Sequence, residues 1–558
     1  MLLKKYLIFA IFLLGFTLRF YQVANFPHSL NRDEAALGFN ALSIIKTQRG
    51  EHGEGPWPLN FISFGDYKMP GYIYLVAPCI KLFGLNNFAL RLPSVILGSL
   101  AVLLTYFILV KIFPKKRSIA LLGSFFLAVA PYHIHYSRVA YETQVAFVWQ
   151  LTGLLLLLSF KSSFYKLLSL LFFLLAMFTY NSPIFIILPI CLGVFYVYRH
   201  CFFSRQSFKS SILFLIGLLF IYGLYFLAFK DVNSQKAKAT ILGKEEYIEE
   251  INQNIDFAHK KGLPLKISRL FFNKPLKAIY EFGKRYFVSF NPSFLFFGGD
   301  KEPFSDLSPA GIPNLYSYLL PCFVIGIYVL IRQRGFKESQ LILVWLLTSN
   351  ITSGFVNISP NTTKLLDFHF LVIIISAVGL QGVLEKFPKH RLKINVLFGL
   401  MMVFSIFHFL ICYFVVYPRR APIQWLPGLD KVADYLKTID FKKIYIDDRG
   451  ILNLSYIYFA FYTPFDPQDF ILQSQRSNFG FNSVEGYKKF VFSAPQSIFG
   501  KTRDDKLKVQ EDRILFFTAY EERQPRWETE KIFYFRGEPL WVLQREPLIL
   551  TKQQETQY

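Results

Sequence analysis

The sequence predicts an α-helical polytopic membrane protein of about eleven spans that ends in a small extracytoplasmic α/β domain. Three observations predict it. The 558 residues are 53% hydrophobic with a mean hydropathy of +0.34, above the soluble globular range. Apolar runs recur along the chain, separated by short basic clusters. After residue 417 the composition changes: 21 Lys and Arg stand against 19 Asp and Glu, so the membrane part holds most of the net charge of +23.

Segments of roughly 17 to 25 apolar residues cross a bilayer. The chain offers them at 5–22, 91–113, 118–136, 143–160, 165–181, 183–198, 211–229, 313–331, 340–356, 366–384 and 394–416. The run 71–84, GYIYLVAPCIKLFG, is shorter and interrupted by Pro78, and reads as a re-entrant or interfacial helix. With Lys4 and Lys5 inside, the connections PKKR, KSSFYK, RHCFFSRQSFK, RQRGFKE and EKFPKHRLK share their side. Together with Lys4, Lys5 and Lys111 they hold 18 Lys and Arg against two Glu. That positive-inside pattern puts the N-terminus in the cytoplasm and the C-terminus outside the plasma membrane. The outer face then carries 23–90, the turn 138–142, the connection 230–312 and everything after 417. Residues 1–21 have no small-residue cleavage site and read as a retained span. The domains are accordingly 1–417 in the membrane, with outer loops 23–90 and 230–312, and 418–558 outside.

The basic residues lie between apolar runs rather than on one face, so no nucleic-acid partner is expected. The five cysteines show no metal-ligand spacing, and none follows Cys412, which excludes a disulfide-stapled C-terminal domain. That domain mixes a helix-like LDKVADYLKTI with period-2 runs such as KKIYIDD, RILFFTA and KIFYFRGEPLWVLQRE. The last reads as a hairpin turning at Gly537 and Glu538. In the long connection, LKISRLFFNKPLKAIYEFGKRYFVSF sets basic and aromatic residues at helical spacing, which suits a helix lying among lipid headgroups.

Four outer-face features carry candidate chemistry: Asp33 and Glu34 in SLNRDEAALGFN; Asp66 and Lys68 in GDYKMPGY; Arg91; and His133, His135, Arg138 and Glu142 in HIHYSRVAYETQ. Ionisable groups at membrane depth face a cavity or each other. Each also has a structural explanation. Asn31 and Glu34 have capping-box spacing, which leaves Asp33 without a task. Lys68 and Arg91 are placed to snorkel. His133 and His135, two apart, diverge on a helix rather than chelate and read as polar lining with Asp66. Arg138 and Glu142 have ion-pair spacing. In combination, carboxylates and cations beside an apolar lumen suit a reaction between a lipid-linked phosphate and a polar acceptor. A carboxylate takes the proton of an acceptor hydroxyl, and cations hold the departing phosphate.

These residues also carry a family resemblance. RDEAALGFNALSI, FGDYKMPGYIYLVAPCIKLFGLNNFALRLPSVILGSLAVLLTY and APYHIHYSRVAYETQ resemble bacterial members of the dolichyl-phosphate-mannose protein mannosyltransferase superfamily. These are glycosyltransferases of the C-type membrane fold, related to the aminoarabinose transferases of lipid A. VSFNPSFLFFGGD is similar to the same subgroup, and the resemblance covers roughly residues 1–385. It implies that Asp33 is the first-loop acid that acts as base or orients the acceptor, with Glu34 as its neighbour. It implies that Lys68, in YKMP where relatives commonly read KPP, contacts the lipid phosphate, and that Arg91 and Arg138 lie near it. Glu142 resembles a second acidic position that binds a divalent metal in some members, so metal dependence is left open. Relatives carry a histidine or arginine before the tenth span, where this chain has Lys364.

The expectation is a glycosyltransferase that moves a sugar from a polyprenyl-phosphate donor to a protein, lipid or glycan hydroxyl, with inversion. No nucleotide site is expected, because no glycine-rich loop follows a strand. Two alternatives stay open. A lipid-linked glycan flippase calls for internal repeats or mid-span charges, whereas the spans are nearly free of internal charge and no repeat is apparent. A non-catalytic scaffold would leave the acidic loop dispensable.

Overall fold

The computed structural model describes residues 2–63, 66–159, 162–230, 245–300, 312–356, 359–417, 425–439, 441, 443–447, 455–476, 484–492, 515–523 and 527–545. The hydrophilic stretch 231–244 and the polar segment 301–311 lie outside them. In chain order the N-terminal helices are α1 (Leu2–Phe20), α2 (Arg32–Thr47), α3 (Pro70–Phe83), α4 (Asn87–Ile112), α5 (Arg117–Val129), α6 (Pro131–Tyr136), α7 (Glu142–Leu157), α8 (Ser163–Thr179) and α9 (Pro183–Val197). Contacts group the chain into two compact units, Met1–Tyr21 with Ser94–Arg420 and Gln22–Pro93 with Ala421–Tyr558.

The first unit is helical. Each apolar run read from the sequence coincides with helix, continuing after α9 through Phe208–Ala228, Leu319–Arg332, Lys337–Ser349, Leu366–Lys386 and Arg391–Ile411. Among the described residues, four stretches are long and apolar enough to cross a membrane: Asn87–Ile112, Phe208–Ala228, Leu366–Lys386 and Pro388–Val416. Two expected single helices are broken. The run 118–136 divides between α5 and α6 at Ala130, because Pro131 drives the residue before it out of the helical region, to φ −62° and ψ 126°. The run 340–356 divides at Asn350.

Helices Leu319–Arg332 and Leu366–Lys386 meet backbone to backbone. A Cβ on Gly326 would collide with the Ile375 carbonyl, and one on Gly379 with the Cys322 carbonyl. Small residues allow this approach where lipid supplies no hydrophobic drive between helices. The connection after 245 forms helices Glu245–Lys260, Leu265–Phe271 and Lys274–Val288, which expose Leu270, Phe271, Ile279, Tyr280 and Phe287.

The second unit joins α2, α3 and a short hairpin to the C-terminal residues. In the hairpin, β1 (Phe61–Ser63) pairs antiparallel with β2 (Asp66–Lys68), and α3 follows directly. With 14 residues, α3 is about 21 Å long, less than the hydrocarbon core of a bilayer. The C-terminal part is the expected small α/β fold. Its strands are β3 (Ile444–Ile446), β4 (Gln475–Arg476), β5 (Val484–Tyr487), β6 (Phe490–Val491), β7 (Leu515–Ala519), β8 (Glu528–Phe535) and β9 (Glu538–Arg545). They form one sheet in the order β4-β5-β6-β3-β7-β9-β8, with β3 parallel to β6 and β7 and the other pairs antiparallel. The final hairpin turns at Arg536 and Gly537, one residue earlier than expected. Both have positive φ, 56° and 88°, as a two-residue turn matching the strand twist requires.

Helix α2 is sheathed by C-terminal residues of this unit. Gly38 lies so close to helix Tyr456–Tyr462 that a Cβ there would be 2.5 Å from the Phe461 ring. Phe39 meets Phe470 edge to face at 5.2 Å, and the Ser29 hydroxyl is 3.0 Å from that of Tyr462.

Candidate active site

The start of α2 is capped as its sequence suggests. Asn31 Oδ1 accepts from the Glu34 amide at 2.8 Å, and Glu34 Oε2 accepts from the Asn31 amide at 3.3 Å. Glu34 has a second task. Arg91, in the first turns of α4, donates from Nε to Glu34 Oε1 at 2.9 Å and from Nη2 to Oε2 at 3.1 Å. Its Nη1 reaches the carbonyls of Val23 and Pro27 at 3.1 and 2.9 Å, and Nη2 reaches that of Ser29 at 2.6 Å. A guanidinium has five N–H donors, and these five contacts engage them all inside the loop. Both side chains are fully buried.

Asp33 differs from its neighbour in being reachable: its side chain is 30% exposed, against none of Glu34. It lies in the first turn of α2, where the helix dipole favours a carboxylate. The Lys68 ammonium donates to Asp33 Oδ1. Lys68 ends β2 opposite Phe61, immediately before α3, and that helix packs on α2; the lysine is thus held by backbone pairing on one side and a helix start on the other. Asp66 opens the same strand opposite Ser63. The Tyr458 phenol, buried on helix Tyr456–Tyr462, feels the charges of Arg32 and Asp33, and burial above all raises its pKa.

A second ionisable cluster in this unit escaped the sequence reading. Glu51 is fully buried, accepts from the Tyr456 hydroxyl at 3.1 Å and lies 3.4 Å from His52 Nε2. Arg476 binds the Glu51 carbonyl at 3.0 Å and touches the His52 ring. Burial pushes the Glu51 carboxyl up to about 7, against the opposing pull of Ser63, Tyr456 and the charges of Arg476 and Lys68. Glu54, which accepts from the Ile62 and His52 amides, is likewise raised by burial to about 7. The available signal was GEHGEG, acids set between glycines at a turn.

The remaining sequence candidates belong to the other unit. His133 and His135 diverge on α6. The Nδ1 of His133 accepts from Arg19 at 2.7 Å, while His135 meets the Tyr413 hydroxyl at 2.9 Å. Arginine can only donate, so a neutral His133 carries its proton on Nε2, and the Gln144 side-chain amide, placed 3.1 Å away, accepts it only when turned to present its oxygen. Arg19 also binds the carbonyls of Gly15, Leu127 and Ala128, tying α1 to α5. Arg138 is fully buried in the turn before α7, where it donates to the Leu18 and Arg19 carbonyls at 3.0 Å each and lies over the Phe414 ring at 5.1 Å. Glu142 is the first residue of α7. Lys364 donates to the Tyr180 hydroxyl. Among the described residues, no three His, Cys, Asp or Glu side chains come together as a metal-binding group.

Residues 68–227 match the family of dolichyl-phosphate-mannose-protein mannosyltransferases, a stretch that begins at Lys68 and takes in Arg91, Arg138 and Glu142. The fold is similar to that of ArnT from Cupriavidus metallidurans, both apo and bound to undecaprenyl phosphate, with a TM-score of 0.52 and 12% identity over 97% of each chain. It is also similar to the archaeal oligosaccharyltransferase AglB from Archaeoglobus fulgidus, in complex with an inhibitory peptide and a dolichol-phosphate, with a TM-score of 0.48 and 14% identity. That alignment covers 82% of this chain and 64% of the archaeal one, so this chain spans less than two thirds of its length. No curated protein sequence matches the chain. The family match and the likeness to ArnT bear out the superfamily resemblance and the C-type membrane fold.

Proposed function

Given the C-type fold and the mannosyltransferase-family match of residues 68–227, we propose that this chain is a membrane glycosyltransferase acting at the outer face of the plasma membrane. It moves a sugar from a polyprenyl-phosphate donor to an acceptor hydroxyl. The observation that carries the reading is the pairing of Lys68 with Asp33, the exposed member of two adjacent carboxylates whose other member is sealed. The undecaprenyl phosphate held by ArnT supports a lipid-phosphate donor, and the basic inner connections support the orientation.

The acceptor oxygen attacks the anomeric carbon from the face opposite the phosphate, the bond from that carbon to the phosphate oxygen breaks, and configuration inverts. Asp33 takes the acceptor proton. The electron pair of the broken bond stays on the polyprenyl phosphate, whose growing charge Lys68 balances; in a site shielded from water one such contact is worth about 3 kcal/mol. Before the donor arrives, Asp33 and Lys68 satisfy each other. A phosphate drawn to the ammonium competes for it and frees the carboxylate to act as base. Arg91 acts through Glu34 as a positioning residue, its donors all engaged in holding the loop.

The test is mass spectrometry of lipid-linked sugars and surface glycans in cells with and without the protein, beside the Asp33→Asn variant. Loss of the protein should make one polyprenyl-phosphate sugar accumulate, and the variant should reproduce that profile at normal protein level. An unchanged profile under active expression would overturn the assignment.

A further inference from the structure

One cavity in the second unit takes no part in the proton and phosphate chemistry. It encloses about 350 Å³ between the first loop, the start of α4, the helix Leu429–Thr438 and the tip of the β8–β9 hairpin. Its polar lining includes Asn25, His28, Asn87, Asp430 and Arg536, and Tyr534 adds a ring that is 56% exposed. That volume lies near the lower end of the ligand-pocket range, enough for roughly one or two sugar rings.

The lining is built. Arg536, at the hairpin turn with φ 56°, donates to His28 Nε2 at 3.1 Å, and the His28 ring stands edge to face between Phe26 at 5.2 Å and Phe535 at 5.4 Å. Burial first, then the charges of Arg536 and Arg91, hold His28 down at about 4, so it is a neutral hydrogen-bonding group in ordinary conditions. Asn87 is fixed by its amide to the Ala24 carbonyl at 3.3 Å. The chemistry this assembles is a carboxylate, two amides, an imidazole and a guanidinium around an open aromatic face. A neutral, hydroxyl-rich molecule with one apolar ring face meets all of these. An anion would gain from Lys431 and Arg536 but would have to sit beside the Asp430 carboxylate.

The cavity also adjoins the reactive loop. Asn87 and Arg91 stand one helical turn apart on α4, and Ser29, which lines the cavity, gives its carbonyl to Arg91. Through the chain, Ser29 and Asp33 are at most about 14 Å apart. From this juxtaposition we infer that the cavity is a saccharide subsite that holds the acceptor glycan beyond its reacting hydroxyl. Saccharide binding stands on the cavity alone, and its role as the acceptor's holder rests on the transferase reading.

The test measures binding directly, without donor, on the full chain in detergent micelles. Saturation-transfer NMR with mannobiose, cellobiose and diacetylchitobiose as neutral probes, and phosphorus NMR titration with inorganic phosphate as the charged one, would compare wild type with Asp430→Ala, Tyr534→Ala and Asp33→Asn. At least one disaccharide should bind wild type and Asp33→Asn alike. Asp430→Ala and Tyr534→Ala should each weaken it at least tenfold while the melting temperature stays unchanged. The inference is overturned if no disaccharide in the panel binds, if both cavity variants bind as wild type does, or if phosphate binds in the sugars' place. Full transfer by Asp33→Asn would instead remove the base assignment and leave the binding result standing.

Discussion

Arg91 grips Glu34 with two parallel hydrogen bonds, Nε to Oε1 at 2.9 Å and Nη2 to Oε2 at 3.1 Å, and neither side chain touches solvent. The neighbouring Asp33 escapes this grip. Adjacent carboxylates in one helical turn therefore have separate work, one holding the loop and the other facing the medium.

Breaking the grip should destabilise the protein. Removing one partner of a buried ion pair leaves an uncompensated charge and costs about 3–5 kcal/mol. Arg91→Ala should lower the thermal midpoint in detergent, with transfer falling in step with the folded fraction. A normal melting curve for that variant would contradict the structural role.

Asp33→Asn should do the reverse, keeping the melting curve and losing transfer by roughly 10²- to 10⁴-fold, the usual contribution of a positioned base. Lys68→Met should reduce the rate by about 10²-fold. Binding of polyprenyl phosphate, measured by native mass spectrometry, should weaken in the lysine variant and persist in the aspartate one. Identical donor binding in both would separate Lys68 from the phosphate.

Glu51 should give stability a pH dependence. Its folded pKa of about 7 exceeds the ordinary 4.5, so between those values the folded chain keeps a proton that the unfolded chain has released. Stability then falls as pH rises through that window, by on the order of 3 kcal/mol for this group. Glu54 shares the direction. Glu51→Gln should flatten part of the slope of melting temperature against pH between 4.5 and 7, and an undiminished slope would exclude Glu51 as its source.

Gly38→Val should disturb the packing of α2. Its side chain would enter the Phe461 ring, an overpacking that costs about 1–3 kcal/mol, and Phe461→Ala in the same chain should recover part of the loss. Additive effects of the two changes would mean that they do not meet.

Much of the fold was legible because its signals are local. Hydropathy marks the helices, and Asn31 with Glu34 announces the capped start of α2; the break at Pro131 has a local cause too, yet hydropathy alone runs 118–136 together as one span. What stayed hidden depends on distant partners. Arg91 reads as a cation at the end of a span, and only the carbonyls of Val23, Pro27 and Ser29 with Glu34 reveal that its donors are engaged. Glu51 looks like an ordinary loop acid until Tyr456 and Arg476 close over it. Arg19 stands near the outer end of the first apolar run, and its partner His133 lies 114 residues on.

The contact of Ser29 with Tyr462 spans 433 residues of chain. At cellular synthesis rates of about 5–20 residues per second, the loop bearing Asp33 waits roughly 20 to 90 seconds for the helix that covers it. During biogenesis the start of α2 therefore stays uncovered on that side until most of the polypeptide has left the ribosome.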